Sequence, residues 1–411
     1  MSSKKTDGKI RVLFVNGAKT PPLGAGPWVH GQIMRYLDRS KHSLHAATAR
    51  GTRLVPAPMF DVVRDISGVT HHSIDFGPDQ LGVSLKGSFR EKLRVLVGIP
   101  TAVLSFAKLA LLVRREKVQV LHTDERPRDA MICILLGRIT GAKTIIHMHV
   151  CYGEWMTRLF KWSMKRADAL VAVSSHVGET LVANGLEARR VHVVLNAIEL
   201  DDWKPGVGRD AARLEFGVTA AAPVIVSVCR LLPGKGPTEL VRILPAICRE
   251  FPDAHLLIVG GDQTLAVGYR QQLQELAHEL GVANNVILTG RRSDVPRLMA
   301  AADIFAMPSP DEPFGLVYLE AMAMKLPVVA LRSGGAPEIV EHGTNGLLSE
   351  VGDLEMLSEH LLSLLRNSRL REEMGVAGRD RVERFFRSQR MASDAAQVYR
   401  SLVDSDSTSP V

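Results

Sequence analysis

Short apolar runs rich in β-branched residues alternate along the chain with longer segments of helical composition. The run 10–16 is apolar nearly throughout, which is typical of a parallel strand buried on both faces. A glycine-rich loop follows, and an amphipathic helix is predicted from about Trp28 to Leu37. Further strands of the first half are predicted within 118–130, 143–153, 167–174 and 191–200. The order of strand, loop and helix predicts a Rossmann-like α/β unit.

The second half of the chain repeats this order. The segment 201–223, which mixes proline, glycine and charge, is a linker by composition. A strand ending at Cys229 follows it, and later strands are predicted within 255–262, 285–309 and 327–331. The pattern predicts two α/β domains and a helical end, divided as 1–200, 201–386 and 387–411.

One apolar run, 95–113, is nearly long enough to span a bilayer. Pro100 and Lys108 interrupt it, and both of its ends are basic. These interruptions favour a buried or half-buried helix that packs on the sheet. A helix lying on a membrane surface is the alternative.

The composition is that of a soluble globular protein, with 46% apolar and 23% charged residues among 411. The four cysteines are scattered without a zinc-type spacing, which favours a reducing compartment and no disulfide framework. The polar N-terminus lacks the apolar run of a signal peptide. We therefore expect a cytoplasmic protein.

Charge is distributed unevenly between the two halves. Residues 1–200 hold 29 lysines and arginines against 16 acids, whereas the remaining residues hold 22 against 28. The basic half indicates an anionic partner, either a membrane surface or a phosphorylated acceptor. Nucleic acid is disfavoured because no recognition motif is present and aromatic residues make up only 5% of the chain.

Two acidic residues with seven residues between them, Glu312 and Glu320, carry the most specific chemistry. Glu312 lies in a predicted loop, and Glu320 lies about two turns into the helix that follows. The backbone amides at Phe314, Gly315 and Leu316, where the helix begins, are suited to bind an anion. The arrangement fits a sugar nucleotide, with the two acids accepting hydrogen bonds from its sugar and ribose hydroxyls. An ordinary loop followed by an exposed helical glutamate is the alternative.

A short loop at the start of the second domain offers two cations. Arg230 and Lys235 flank glycines 234 and 236 after the strand that ends at Cys229. Two cations beside a glycine turn can hold a diphosphate. A solvated basic loop is the alternative.

Polar residues also end the strands of the first domain. His147 and His149 share one face of a predicted strand and could bind metal, but no further ligand at a convincing spacing supports a metal site. Gly24 and Gly26 follow the first strand without the full dinucleotide fingerprint. In parallel sheets, ligands bind where strands end, so these positions are candidate binding residues.

The spaced glutamates around Phe314-Gly315-Leu316, followed by residues 320–323 and 327–330, resemble the retaining glycosyltransferases of family four, which have the GT-B fold. The resemblance implies two Rossmann-like domains facing each other across a cleft, with the last helix crossing back to the first domain. It covers nearly all of the second domain and is looser in the first. It further implies retention of configuration without an obligatory metal or other cofactor.

The resemblance also assigns roles to individual residues. It makes Arg230 and Lys235 the pyrophosphate grip, and Gly290 with Arg291 the turn that faces the nucleoside. It makes the glycine loop of Gly24 and Gly26 face the reacting groups across the cleft, so both glycines are candidate donor-binding residues. His149 matches a histidine that family members often carry on the second of two strands. Asp124 stands where another histidine often occurs, so the acceptor-side polar residue differs here.

We expect transfer of a hexosyl-type sugar from a nucleotide sugar to a hydroxyl of a glycan or lipid-linked acceptor. Peripheral contact with an anionic membrane would suit the latter acceptor. A GT-B epimerase or phosphorylase is one alternative, and a non-catalytic protein that binds sugar nucleotides or membranes is another. The base, the sugar and the acceptor do not follow from the sequence.

Overall fold

The computed structural model describes residues 8–19, 25–49, 57–76, 89–263 and 266–407. The chain divides into two compact units. The first unit comprises Met1–Asn196 with Ser388–Val411, and the second comprises Ala197–Arg387. Each unit contains one parallel β-sheet with helices packed against it.

The strands of the first unit are β1 (Ile10–Asn16), β2 (His42–Thr48), β3 (Val69–Ser73), β4 (Val120–Asp124), β5 (Lys143–Met148), β6 (Ala169–Ala172) and β7 (Val191–Val193). The strands of the second unit are β8 (Val224–Val228), β9 (His255–Val259), β10 (Val286–Gly290), β11 (Ile304–Met307), β12 (Val328–Leu331) and β13 (Gly346–Ser349).

The helices before the second sheet are α1 (Gly26–Tyr36), α2 (Pro58–Val63), α3 (Phe89–Arg115), α4 (Pro127–Thr140), α5 (Arg158–Met164), α6 (Ser175–Ala183) and α7 (Arg209–Glu215). The later helices are α8 (Pro237–Glu250), α9 (Tyr269–Glu279), α10 (Val295–Ala300), α11 (Leu316–Ala323), α12 (Ala336–Ile339), α13 (Leu354–Arg366), α14 (Ser368–Phe385) and α15 (Ser388–Ser407).

Both sheets are doubly wound around their first strand. The order is β3-β2-β1-β4-β5-β6-β7 in the first unit and β10-β9-β8-β11-β12-β13 in the second. In each sheet the strand order reverses beside the first strand, between β1 and β4 or between β8 and β11. The carboxyl ends of these strand pairs form the crevice in which doubly wound folds bind ligands. The topology therefore points to one such edge in each unit.

Burial on both faces of the sheets explains why the strands are apolar along nearly their whole length. Residues 12–15 of β1 are wholly buried, as are the central residues of β11 and β12. Because helices cover both faces of each sheet, the strands lack the alternation of a half-exposed sheet. The predicted strand at 10–16 is confirmed by β1, and the predicted first helix is confirmed with its start two residues earlier.

The prediction of a linker over 201–223 is wrong in part. Residues Arg209–Glu215 form α7, which packs against α10. Arg213 is almost completely buried, and its guanidinium donates to Asp303 and to four backbone carbonyls. The buried arginine anchors this segment to the sheet, although its composition resembles that of a linker.

The apolar run 95–113 lies within α3, as predicted for a half-buried helix. Ser105, Leu109 and Val113 face the interior of the first unit. On the opposite face of α3, among the residues whose side chains are described, large apolar groups are exposed to solvent. Val103 and Leu104 are each 62% exposed. Among the described residues, no helix is both long and apolar enough to cross a membrane.

Candidate functional site

A close ion pair lies at the crevice of the second sheet. Lys235 follows β8, Glu312 follows β11, and the Lys235 Nζ lies 2.6 Å from the Glu312 Oε2. The two side chains are only 19% and 15% exposed, so solvent screens their attraction weakly. Ser309 lies beside both, and its hydroxyl donates to the Gly234 carbonyl at 3.1 Å. The doubly wound topology thus joins residues that are far apart in sequence.

The loop that carries Glu312 is held by the glycines after β12. The amide of Gly335 donates to the Glu312 carbonyl at 2.7 Å. A Cβ at Gly334 would collide with that same carbonyl oxygen, so a side chain there would displace the loop. These glycines therefore fix the position of the carboxylate through close backbone contact.

The start of α11 lies between the two glutamates and has the features of an anion-binding helix N-terminus. Gly315 caps α11 with a φ of 95°, and Leu316 is the first helical residue. Phe314 is buried just before it, and the Tyr318 hydroxyl donates to the Met307 carbonyl at 3.0 Å. The first amides of a helix have no intrahelical acceptor, so those at this helix start are available to a phosphate.

The second acid, Glu320, lies half-buried in α11. Burial raises the pKa of Glu320 to about 7, because the charged form loses hydration. No ion pair engages its carboxyl within the described part of the chain. The ionised carboxylate can accept hydrogen bonds from a ligand's hydroxyls, and the ionised fraction changes with pH around neutrality.

Three further predicted site residues, Arg230, Gly290 and Arg291, lie at strand ends of the same sheet. Arg230 is exposed after β8. Gly290 ends β10 with a φ of 74°, and its carbonyl accepts from the Gly260 amide at 3.1 Å. Arg291 follows it, exposed and packed against Gly261. The structure places these residues at the carboxyl edge of the second sheet, and their binding roles remain predictions.

In the first unit, Asp124 occupies the corresponding crevice. It ends β4 and is almost fully buried, and its Oδ2 accepts from the Asn16 side-chain amide at 2.8 Å. Gly26, the first residue of α1, lies beside it, since a Cβ there would be 3.5 Å from both Asp124 and His149. The structure thus brings Gly26, Asp124 and His149 together in the first unit. Gly24 lies outside the described residues.

Burial sets the protonation of these groups. Burial, and to a lesser degree the neighbouring Glu125, raises the pKa of Asp124 to about 8. Burial also raises the pKa of Glu125 to about 7 and lowers the pKa of His149 to about 4. At neutral pH His149 is therefore an uncharged imidazole, and Asp124 is mostly a neutral acid.

Several residues at the carboxyl ends of these strands were not predicted from the sequence. Asn16 binds Asp124, and the Asp129 carboxylate accepts from the Gly17 amide at 2.7 Å. Ser309 contacts the Lys235–Glu312 pair. The position of Asn16 at the carboxyl end of the first strand was the available signal. Ser309 offered a weaker one, since it follows a strand but lies between prolines.

Known proteins of the same fold resemble the whole chain. The Anabaena protein HepE, solved in complex with UDP, matches with a TM-score of 0.76 at 20% identity. The match covers 95% of this chain and 100% of that one. Together with the two parallel sheets, it defines the protein class as GT-B.

Sequence comparison then identifies the family. The model of the family described as "Glycosyl transferases group 1" matches residues 209–381, and the model described as "Glycosyltransferase Family 4" matches residues 31–202. The chain belongs to this glycosyltransferase family, and it is therefore classed as an enzyme of glycosyl transfer.

Two curated relatives illustrate the range of similarity. The N-acetyl-alpha-D-glucosaminyl L-malate synthase of Bacillus anthracis is 28% identical over 73% of this chain and 79% of its own length. A GDP-mannose-dependent alpha-(1-6)-phosphatidylinositol monomannoside mannosyltransferase of Mycolicibacterium smegmatis is 35% identical over 59% of this chain and 66% of its own length.

Proposed function

We propose that the protein transfers a hexosyl-type sugar, with retention of configuration, from a nucleotide sugar to a hydroxyl of a glycan or lipid-linked acceptor. The second unit would bind the donor, and the first unit would bind the acceptor. One observation carries the donor assignment: the Lys235–Glu312 pair lies in the sheet crevice beside the capped start of α11. That crevice is where doubly wound folds bind phosphates.

Stabilisation of the leaving group is the main chemical task of the second unit. Cleavage of the bond between sugar and phosphate builds negative charge on the departing diphosphate. The ammonium of Lys235, the guanidinium of Arg230 and the amides near Gly315 would stabilise that charge. Glu312 holds the Lys235 ammonium in place through Oε2 and leaves Oε1 for a sugar hydroxyl.

Glu320 is assigned to the nucleoside part of the donor. Its carboxyl has no competing ion pair among the described residues, and its pKa of about 7 leaves it partly ionised at neutral pH. The ionised form would accept hydrogen bonds from the two ribose hydroxyls. Gly290 and Arg291 would face the same nucleoside from the end of β10.

On the acceptor side, His149 is the principal polar group. Its low pKa keeps the imidazole neutral, so a ring nitrogen can accept a hydrogen bond from an acceptor hydroxyl. Asp124 lies nearby but accepts from Asn16, which favours a role in holding the edge of β1 against β4. A leaving phosphate that itself takes the hydroxyl proton would require no second carboxylate pair and no obligatory metal.

The exposed face of α3 supports a lipid-linked acceptor. Val103, Leu104 and Leu111 are each more than 60% exposed, and Lys108 lies on the same face. An amphipathic helix with apolar and basic groups in solvent is suited to the headgroup region of an anionic membrane. The phosphatidylinositol mannoside named for one relative is an acceptor of this lipid class.

The proposal is tested with purified protein and a panel of labelled GDP, UDP and ADP sugars. We expect one donor to raise the melting temperature and to release its nucleoside diphosphate only when an acceptor is added. An epimerase would convert or hydrolyse the donor without an acceptor, and a phosphorylase would require inorganic phosphate. Binding without turnover across the acceptor panel would favour a non-catalytic protein.

A further inference from the structure

Four histidines lie together inside the first unit, on elements that the sequence separates. His30 comes from α1, His122 from β4, His147 from β5, and His149 from the residues just after β5. The ring centroids of His147 and His149 are 4.4 Å apart, and His30 lies 5.3 Å from His147 and 5.9 Å from His149. Sequence reasoning considered only the pair at the end of β5, because α1 is more than 100 residues away.

Three of these rings have buried nitrogens without a partner in the described part of the chain. They are both ring nitrogens of His30, both of His149 and the Nε2 of His147. The side chains of His30 and His147 are fully buried. A buried polar atom without a hydrogen bond is costly and rare in folded proteins, so several in one place indicate a ligand or ordered water.

The fourth histidine, His122, contacts the ring nitrogen of His147 that is not free. The His122 Nε2 lies 3.3 Å from the His147 Nδ1, and the His122 Nδ1 lies 2.7 Å from the Tyr399 hydroxyl. A chain of this kind fixes the ring of His147 and can hold its proton on Nδ1. The Nε2 of His147 is then left as a free lone pair. Metal-binding histidines usually have such a partner on the second ring nitrogen.

The ring nitrogens of three of these histidines lie close enough together to approach one small transition metal. One nitrogen from each of His30, His147 and His149 can be chosen so that all three lie within 4.8 Å of one another. Tetrahedral zinc with bonds of about 2.0–2.1 Å needs nitrogens roughly 3.3 Å apart. Modest rotation of the side chains would close that difference. A fourth position would remain for water.

We propose that His30, His147 and His149 form a binding site for Zn²⁺ or a similar divalent transition metal, with His122 and Tyr399 as its outer support. Three neutral imidazoles on a buried edge are a ligand set that zinc prefers over magnesium or calcium. One metal ion per chain satisfies the three nitrogens that bind it. The expected site requires only residues of the first unit.

The metal would oppose glycosyl transfer. This consequence rests on the proposed function, in which His149 accepts a hydrogen bond from the acceptor hydroxyl. An ion bound to His149 would occupy that lone pair and block the acceptor site. Zinc is therefore expected to inhibit turnover, and a chelator is expected to restore it.

Binding is tested on the full chain without a histidine tag, after removal of metal by a chelator. We expect calorimetry with Zn²⁺ to give one site per chain, and Co²⁺ to give the intense visible absorption of a four-coordinate site. His30→Asn and His147→Asn should each abolish this site. His122→Phe removes only the outer support and should weaken affinity by about 10–100-fold.

His72→Asn is the matched control. His72 forms a second histidine pair in the same unit, with its Nε2 3.2 Å from the His45 Nδ1. Its replacement should not change the number of zinc ions bound per chain. Circular dichroism and thermal melting verify that each variant is folded. Absence of a zinc site in the wild-type protein, or a site that survives in both His30→Asn and His147→Asn, would overturn the proposal. Loss of the site in His72→Asn would assign it to the other pair and overturn it as well. Because these readouts do not depend on turnover, they are independent of the proposed function.

Discussion

At the scale of single residues, two cations and two acids dominate the candidate donor site. Lys235 is held by Glu312 at 2.6 Å and has little contact with solvent. Its charge is therefore positioned before any ligand binds. A preorganised cation stabilises developing charge without reorganisation at the moment of reaction, which is the largest single contribution in many enzymes. Arg230 is exposed, and no ion pair holds it among the described residues, so it is less preorganised than Lys235.

Removal of either cation should therefore slow turnover while the fold remains intact. We expect Lys235→Met and Arg230→Met each to lower kcat/KM by an amount equivalent to about 2–4 kcal/mol, because a charge-assisted contact to the leaving diphosphate is lost. Arg242→Met, at an exposed position of α8, is the control. Steady-state kinetics give the comparison. Turnover in both variants that matched the control would refute the diphosphate assignment.

Glu320 should make nucleotide binding depend on pH. Its pKa of about 7 means that it gains a proton as the pH falls through neutrality, and the neutral acid is a poorer acceptor for ribose hydroxyls. If only the ionised form binds tightly, affinity falls by up to about tenfold per pH unit well below that pKa. Calorimetry with the nucleoside diphosphate, at several pH values, measures the slope.

The corresponding variant separates this effect from titration of the phosphate itself. Glu320→Gln should bind the nucleotide weakly, with only the pH dependence that the ligand contributes. Glu355→Gln, at an exposed position of α13, should behave like the wild-type protein. Identical pH profiles for Glu320→Gln and wild type would show that the carboxyl does not touch the nucleotide.

At the scale of elements, the local sequence pattern correctly predicted strands and helices whose formation depends on nearby residues. The apolar run 10–16 is β1, and the helical composition after Gly315 is α11. Composition misled over 201–223, because α7 is stabilised by the contact of Arg213 with Asp303, which lies 90 residues away. The Lys235–Glu312 contact spans 77 residues and exists because β8 pairs with β11. The residue spacing made Lys235 and Glu312 candidate site residues, and the family resemblance linked both to one ligand. The contact between their side chains could not be predicted from either.

The cap of α11 offers a test at this scale. Gly315 has a φ of 95°, and a Cβ there would collide with the Tyr318 ring. Gly315→Ala should therefore combine backbone strain of about 1–2 kcal/mol with a steric clash. Gly343→Ala is the matched control, since its φ is 81° but open space surrounds it. Denaturant unfolding should show the larger loss of stability for Gly315→Ala. Equal losses would mean that Tyr318 moves aside freely.

At the scale of the whole molecule, charge is separated along the chain. Residues 1–200 carry an excess of 13 basic over acidic residues, and the remaining residues carry an excess of 6 acids. The exposed apolar face of α3 belongs to the basic part. A basic surface with apolar groups fits an anionic membrane better than a soluble acceptor alone, because the apolar groups gain nothing from a soluble anion.

Flotation with lipid vesicles tests this contact. Each basic group near an anionic surface contributes about 1 kcal/mol, and the attraction fades within a Debye length of roughly 8–10 Å. We expect binding to anionic vesicles at low salt, a sharp fall at high salt, and little binding to neutral vesicles. The triple serine variant of the α3 face replaces Val103, Leu104 and Leu111.

The α3 variant should bind anionic vesicles more weakly than the wild-type protein, because insertion of the apolar groups is lost while the charge is unchanged. A matched triple serine variant in the acidic part replaces the exposed residues Val207, Leu214 and Val267. If the two triple variants float equally well, α3 is not the contact. If the wild-type protein fails to float with anionic lipid at any salt concentration, membrane contact is ruled out, and the basic excess either keeps the domain soluble or attracts a soluble anionic acceptor. The glycosyltransferase assignment would stand in that case, because neither the family match nor the candidate donor site depends on membrane contact.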